Sequence, residues 1–485
     1  MAILASLVLS VWCVYADPIV NNDGILYLRA AQSLRAGDFH GAVALHHWPF
    51  YPALIAAVSG ATTLPVEPAA HVVDAVLTAL LIWAFLATML ELGADRTTLW
   101  LALAVVLLFP GINKFRSFVV RDTGYLMAYF WWLVFLVRYW KAPSGVGVGL
   151  WSAAALTFLF RVEGVVWLLL TPVLIAWRRG HMRHWRAAAV IGLMTAAAIA
   201  AAVWWLSRAN PAFWKQDVAG AMMGSWAEFG EQLQYRLLAI REEILGTFSQ
   251  RYAWWVLIIT LLVVVVSETL RRLTLLHAGL AWFGYAQGYA FPFARFRPVW
   301  IALLVAQLLV LLLFAFLRLF LVDRYTVAFG LTITLAVPFA LAALRDLRHK
   351  AGTGRFTRFA YPAALALVAV IGLETLDVRT DKRFLKEAGR WIATHTEPRA
   401  RVYANNQALA WYTRREAFRP GARYDYAETL ELIRMRGHRD YELLALVVGR
   451  APHEEARLRA LLGSAPVKVF ANPRGDKALI FDTRK

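Results

Sequence analysis

The chain has 485 residues, of which 60% are hydrophobic and only 17% are charged, and it contains 21 tryptophans. Soluble domains carry about a quarter of their residues as charged side chains, so this composition indicates a protein that crosses a membrane many times. The net charge of +19 would suggest nucleic acid in a soluble protein. Here the arginines cluster beside apolar runs, as the positive-inside bias requires, so we expect no nucleic-acid partner.

The first apolar segment and the stretch after it have opposite character. Residues 1–16 are apolar and lack a positively charged start, which favours a first membrane span over a cleaved signal peptide. Residues 17–69 are too polar to cross, so we expect them to form the first external loop. The loop carries Asp23 near its start and the run Trp-Pro-Phe-Tyr-Pro at 48–52. A carboxylate just outside a span is a candidate functional residue.

Ten further apolar runs have spanning length or nearly so, which gives about eleven transmembrane helices with the first segment. They lie at about 70–91, 97–112, 118–140, 147–160, 163–177, 187–206, 253–270, 299–321, 325–344 and 359–376.

Three basic clusters, at 178–186, 271–272 and 345–358, are expected on the cytoplasmic side. All three clusters fall on the cytoplasmic side only if the stretch 273–297 does not cross the membrane. We therefore predict an interfacial or re-entrant cytoplasmic segment there. The N-terminus is then inside. The external segments are 17–69, 113–121, 161–162, 207–252, 322–324 and 377–485.

The tail from Asp377 is more polar than the rest of the chain and alternates between two patterns. Strand-like and helix-like pieces follow one another, which is typical of a small α/β domain. Strands are predicted at 401–404, 443–448, 467–470 and 478–481, with helices at about 427–437 and 453–462. We therefore divide the chain into a transmembrane domain, 1–376, and an extracytoplasmic α/β domain, 377–485.

Four local patterns occur in order along the chain. They are Asp23 followed by Tyr27 and by Ala-Ala-Gln-Ser-Leu at 30–34, the run at 48–52, Arg161-Val-Glu163-Gly, and Arg324-Tyr325. Together they resemble the GT-C superfamily of integral membrane glycosyltransferases. The specific resemblance is to the glycosyltransferase family 39 type, which includes protein O-mannosyltransferases and aminoarabinose transferases. The chain departs from this pattern at Gly24, where relatives commonly carry glutamate.

The resemblance implies an enzyme that transfers a sugar from a polyprenyl-phosphate-linked donor, with inversion at the anomeric carbon. Its partners would be that lipid donor, the surrounding membrane lipid, and a protein, glycolipid or glycan acceptor. The expected location is a bacterial inner membrane, with the active site and the C-terminal domain on the external face.

Asp23 is the candidate general base, because a nucleophile must lose a proton as it attacks. Its alternative is the N-cap of a helix. Arg161 and Arg324 are the candidates for stabilising the negative charge that develops on the leaving lipid phosphate. Their alternatives are local ion pairs, Arg161 with Glu163 and Arg324 with Asp323.

The remaining candidates are expected to contact substrate: Tyr27, Asp122, Glu163, Tyr325 and His47. Asp122 matches the position of a second acidic residue in relatives and could, with Asp23, hold a divalent cation. An ion pair between Asp122 and Arg121 is the favoured alternative, so no cofactor is predicted with certainty. His47 also has an ordinary interpretation, as an amphipathic surface residue.

Two other functions fit a chain of this composition. A flippase or transporter of lipid-linked sugars would show inverted repeats with broken helices at mid-membrane depth, and the sequence has no such pair. A polymerase or ligase of lipid-linked sugars would carry external loops and arginines without the early pattern from Asp23 to Tyr27.

Overall fold

The computed structural model describes residues 1–143, 147–180, 182–209, 225–349, 355–376, 382–415 and 426–484. The fold is mainly helical with a small C-terminal sheet, as predicted. The helices of the first half are α1 Ala2–Ala16, α2 Asn22–Arg35, α3 Phe39–Leu45, α4 Phe50–Thr62, α5 Val66–Glu91, α6 Arg96–Leu107, α7 Pro110–Asn113, α8 Asp122–Lys141, α9 Val148–Phe160, α10 Val165–Arg179 and α11 Met182–Ala209. Those of the second half are α12 Ser225–Ala239, α13 Gly246–Ser249, α14 Ala253–Ala286, α15 Arg297–Arg318, α16 Val327–Thr334, α17 Val337–His349, α18 Arg355–Leu376, α19 Arg383–His395, α20 Gln407–Tyr412, α21 Tyr426–Arg434 and α22 Pro452–Leu462.

Several of these helices are built to cross a membrane. Among the described residues, six helical segments are long and apolar enough: Val66–Glu91, Arg96–Asn113, Gly246–Ala286, Ala294–Arg318, Asp323–Arg348 and Arg358–Leu376. Three apolar helices are shorter: Ala2–Ala16, Phe50–Thr62 and Val148–Phe160. The polytopic membrane fold is therefore confirmed, while the count of eleven spans stays a prediction.

The structure corrects the expected position of one basic cluster. Arg271 and Arg272 lie inside α14, which continues to Ala286 with a kink at Thr274, and not in a cytoplasmic loop. The Arg272 guanidinium pairs with the Asp323 carboxylate, so this cluster lies on the same side as the candidate Arg324. The first half of the segment at 273–297 is helix, the continuation of α14 to Ala286, and its interfacial position stays a prediction. Its second half forms the turn between α14 and α15.

The predicted loop 17–69 folds as three helices, α2 to α4. Asn21, at the N-cap of α2, ties this layer to the segment before α8. Its side-chain amide donates to the Val119 carbonyl at 3.4 Å, and its Oδ1 accepts from the Val119 amide at 2.8 Å. This exchange fixes the start of α2 against the start of α8.

The C-terminal sheet has four strands: β1 Val402–Ala404, β2 Leu443–Val448, β3 Lys468–Ala471 and β4 Lys477–Asp482. Its spatial order is β1-β2-β4-β3, with β1 parallel to β2 and the other pairs antiparallel. The strands and helices fall within a few residues of the predicted ones. The predicted boundary at 377 lies outside the described residues, so the division into two domains stays a prediction.

The C-terminal domain packs on the first loop through polar contacts around Tyr412. The Tyr412 hydroxyl donates to the Pro18 carbonyl at 3.1 Å and accepts from the Val20 amide at 3.0 Å. The Lys386 ammonium donates to the Pro18 carbonyl at 3.0 Å and pairs with Glu67 at 3.1 Å. These contacts hold the domain against the chain just before Asp23.

Candidate functional site

Asp23 lies in the first turn of α2, where its negative charge is favourable to the helix dipole. It is not the N-cap, because Asn21 occupies that position. The Asp23 carboxylate pairs with the Arg324 guanidinium. Arg324 lies in the short turn Asp323–Thr326, directly before α16. The Asp23 side chain keeps 41% of its surface exposed, so it remains open to a ligand.

Arg161 is held by two carboxylates at the turn between α9 and α10. It pairs with Asp122, at the start of α8, and makes a two-point contact with Glu163, at 3.3 Å from Nε and 2.7 Å from Nη2. The side chain is only 8% exposed. Burial alone would lower the pKa of Arg161, but the two carboxylates hold it well above its usual value. Arg161 therefore keeps its charge.

These contacts correct two expected local pairs. Asp122 pairs with Arg161 and not with Arg121, and Asp323 pairs with Arg272 and not with Arg324. The alternative pair of Arg161 with Glu163 is present.

Tyr325 connects the two ion-paired groups. The Arg161 guanidinium carbon lies 4.5 Å from the centre of its ring, and that of Arg324 lies at 5.2 Å, both within cation–π range. The ion-paired side chains are three carboxylates, Asp23, Asp122 and Glu163, and two guanidiniums, Arg161 and Arg324. Arg324 also lies near two carboxylates, Asp122 and Asp23, but its side chain is 20% exposed against 8% for Arg161, so it is the more accessible cation for an anionic ligand.

A narrow cavity lies beside this cluster and joins polar and apolar walls. Its volume is about 50 Å³. The polar wall comes from Asp122, Arg161, Glu163, Arg324 and Tyr325. The apolar wall comes mainly from α15 and α16, with Val310, Leu311, Phe314, Ala328 and Phe329. A group with a charged end and an apolar chain matches this combination of walls.

Arg324 also lines a second opening, a cleft of about 390 Å³. We call it the polar cleft because Asp23, Asn22, Lys382 and Asn406 line it, although apolar side chains such as Phe118 also contribute to its walls. Arg324 thus lines both openings, whereas Asp23 lines the polar cleft and not the narrow cavity.

Tyr27 lies near the charged cluster but does not line the narrow cavity. It is buried, with its ring edge-on to His46 at 4.8 Å and to Tyr51 at 5.2 Å. Burial, with Asp122 and Asp23 nearby, raises the pKa of Tyr27 to about 12, so its hydroxyl stays protonated. His47 does not line the cavity either. Its neighbour His46 approaches the cluster, and burial and Arg121 lower the pKa of His46 to about 3.

The carboxylates do not fit a divalent cation. Asp23 and Asp122 are each paired with an arginine. Within the part of the chain that the structure describes, no group of three or more His, Cys, Asp or Glu residues could hold a metal ion. We therefore derive no step through a metal.

Two buried polar groups are not among the candidate site residues. Tyr51 donates to Asp74, a buried carboxylate of α5, at 2.7 Å. On α15, Gln307 donates to the hydroxyls of Tyr129 at 2.5 Å and Thr332 at 3.0 Å, next to the apolar wall of the cavity. A polar residue within an apolar run was the available signal for both Asp74 and Gln307.

Comparison with known proteins identifies the fold. No protein-family model matches the chain, and no curated protein matches its sequence. Among solved structures, ArnT from Cupriavidus metallidurans bound to undecaprenyl phosphate is similar at a TM-score of 0.53 and 13% identity, over 99% of this chain and 97% of that one. ArnT from the same organism in the apo state gives a TM-score of 0.45 and 15% identity, over the same shares. The chain therefore shares its overall fold with ArnT.

Proposed function

We propose that the protein transfers a sugar from a polyprenyl-phosphate-linked donor to an acceptor on the external face of the membrane, with inversion at the anomeric carbon. The donor is a hexose or pentose carrier, and the acceptor is a protein, glycolipid or glycan. One observation carries the proposal. Arg324 lines both the cavity with the apolar wall and the polar cleft, and its partner Asp23 is exposed in the polar cleft.

The two openings suit the two substrates. The polyprenyl chain would lie along the wall of Leu311, Phe314 and Phe329, with its phosphate at Arg324. The acceptor would enter through the polar cleft, where Asp23 is exposed. ArnT, which shares the fold, was crystallised with undecaprenyl phosphate, and this supports a lipid phosphate as the ligand.

The reaction breaks one bond and forms another at the anomeric carbon. The acceptor hydroxyl attacks that carbon and gives its proton to the Asp23 carboxylate, while the bond from carbon to phosphate oxygen breaks. Polyprenyl phosphate leaves with an added negative charge, and the Arg324 guanidinium stabilises it. Because Arg324 pairs with Asp23 before the donor arrives, a phosphate that takes Arg324 releases Asp23 to act as the base.

The test is transfer from a radiolabelled polyprenyl-phosphate sugar to membrane acceptors, comparing the wild type with Asp23→Asn. We expect the variant to lose transfer by about 10²–10⁴-fold, the contribution typical of a general base. Binding of polyprenyl phosphate should remain, because Arg324 is intact.

The matched control is Asp38→Asn in the same loop. Asp38 caps α3 by accepting from the Gly41 amide at 2.8 Å, a role that asparagine also fills. Normal transfer by Asp23→Asn would disprove the assignment of the base. Movement of the donor across vesicles without product, in the wild type, would favour a flippase instead.

A further inference from the structure

A large basic cleft opens between the first loop and the C-terminal domain, separate from the cavity described above. Its volume is about 1040 Å³, in the size range of a binding site for a whole ligand. Cations from two distant parts of the chain line it: Arg29, Arg35, Lys386, Arg390, Arg414 and Arg415. Glu67 is the single carboxylate among the residues that line it.

Glu67 neutralises one of these six cations, Lys386, and leaves five. Its carboxylate pairs with Lys386 at 3.1 Å and accepts from the Trp411 indole at 3.0 Å and the Tyr412 hydroxyl at 3.4 Å. The remaining cations belong to α2, α19 and the segment after α20, which face one another across the cleft.

Neutral groups hold two of these arginines in place. The Arg415 guanidinium donates to the carbonyls of Ala393 at 2.7 Å and Thr396 at 2.8 Å, and Arg35 donates to the Ser59 hydroxyl at 2.9 Å. Carbonyls and hydroxyls orient a guanidinium without cancelling its charge. Fixed cations around a cleft are the arrangement that binds phosphate oxygens, and the exposed Arg390 and Arg414 can donate charge-assisted hydrogen bonds to them.

We propose that this cleft binds a phosphate group carried by the acceptor. The cleft lies at the head of α5, where Pro65 and Pro68 begin a membrane span, so a phosphate-bearing headgroup can reach it from the membrane surface. Arg29 and Asp23 lie on the same helix, α2, six residues apart, which is about 9 Å along its axis. An acceptor held in this cleft by its phosphate must therefore extend at least about 9 Å along α2 to bring a hydroxyl to the polar cleft that Asp23 lines.

The identification of the ligand as the acceptor rests on the proposed function. The experiment measures only the binding of the ligand. The purified full chain, saturated with polyprenyl phosphate to occupy Arg324, is titrated with short-chain phosphatidic acid, with inorganic phosphate, and with short-chain phosphatidylcholine as the neutral probe. The variant is Arg390→Glu with Arg414→Glu, two exposed arginines of the cleft. The control is Arg434→Glu with Arg457→Glu, which are exposed elsewhere in the same domain and give the same change in net charge.

We expect phosphatidic acid to bind the wild type and the control alike, and to bind the cleft variant about tenfold or more weakly. Binding of inorganic phosphate as well would show that the cleft recognises the phosphate itself, and binding of phosphatidic acid alone would show that it requires a lipid-borne one. Equal loss in the control, or no binding of either anion to the wild type, would overturn the proposal. A different result would contradict the proposed function: no binding of polyprenyl phosphate itself to the wild type.

Discussion

Gly24 stands where relatives of the suggested family carry a glutamate, and the surrounding packing gives a physical reason. The residue is buried between α2 and the segment before α8. A Cβ atom at this position would lie 2.7 Å from Asn21 Oδ1, 2.9 Å from Val119 Cβ and 2.9 Å from Val20 Cγ1. No side chain fits there without moving the groups that fix the start of α2. Asp23 is therefore the single carboxylate of α2.

A glutamate at position 24 should lower the stability of the protein and should not raise its activity. We expect Gly24→Ala to destabilise the fold by about 1–3 kcal/mol, the usual cost of overpacking, and Gly24→Glu to cost more because it also buries a charge. Thermal unfolding of the detergent-solubilised protein measures the change. Gly60→Ala in α4 is the control, because nothing lies within 4 Å of its Cβ. A Gly24→Glu protein as stable as the wild type and more active would contradict this account.

The charged residues of the site could be chosen from sequence, whereas most of their partners could not. Asp23, Asp122, Arg161 and Arg324 do meet around one cavity and its neighbouring cleft. Two of the three expected pairs joined neighbours in sequence, Arg121 with Asp122 and Asp323 with Arg324. Neighbouring side chains on a helix point in different directions, so each of these charges instead pairs across helices that only the fold brings together.

The turn between α9 and α10 places Arg161, and it depends on Gly164. A Cβ on Gly164 would lie 2.3 Å from the Thr157 carbonyl carbon and 2.4 Å from the Phe158 nitrogen, both backbone atoms that cannot rotate away. The close approach lets α10 begin directly against the end of α9. Arg161, three residues earlier, is thereby directed at Asp122 and Glu163.

Gly164→Ala should therefore separate α9 from α10 and displace Arg161 from its carboxylates. We expect a loss of at least about 1–3 kcal/mol in stability, together with a large loss of transfer activity. The unfolding midpoint and the rate of sugar transfer, measured on the same preparation, test this. Gly279→Ala in α14 is the control, because nothing lies within 4 Å of its Cβ. Equal effects of the two substitutions would show that the turn tolerates a side chain.

Periodicity predicted most elements well but failed where an element exceeded the thickness of a membrane. The continuous apolar run Leu443–Val448 located β2 at its observed bounds, because its flanks are polar. By contrast, α14 has 34 residues and a length of about 51 Å, against a hydrocarbon core of about 30 Å. A basic pair inside so long a helix resembles a loop in sequence, and this is why Arg271 and Arg272 were expected at a helix end.

The two predicted domains share one apolar core. Leu385, Ala388 and Leu409 of the C-terminal domain belong to the same buried cluster as Val20 and Leu28 of the first loop. The polar cleft beside Asp23 is closed on one side by this domain, through Lys382 and Asn406. Its docking therefore shapes the route by which an acceptor would reach the base.

Glu67 is the polar centre of that docking, and its removal should loosen the domain. It accepts from Lys386, Trp411 and Tyr412, all of the C-terminal domain, while standing at the start of α5. Glu67→Ala removes the ion pair with Lys386 and leaves the Trp411 indole without its acceptor, at a cost of about 1–3 kcal/mol, while Lys386 and Tyr412 still donate to the Pro18 carbonyl. We expect faster hydrogen exchange in 407–412 and in 18–23, and weaker binding of acceptor than of donor.

Glu67→Gln distinguishes the contribution of the ion pair to docking from the contribution of the hydrogen bonds. Its amide oxygen can still accept from the Trp411 indole, while the attraction to the Lys386 ammonium is lost. A half-buried ion pair of this kind contributes about 1 kcal/mol or less, so exchange in 407–412 should rise less than in Glu67→Ala. Glu431→Ala, an exposed glutamate on α21, should leave exchange there unchanged. If Glu67→Ala also leaves it unchanged, apolar packing alone docks the domain, and the cleft beside Asp23 keeps its shape without this network.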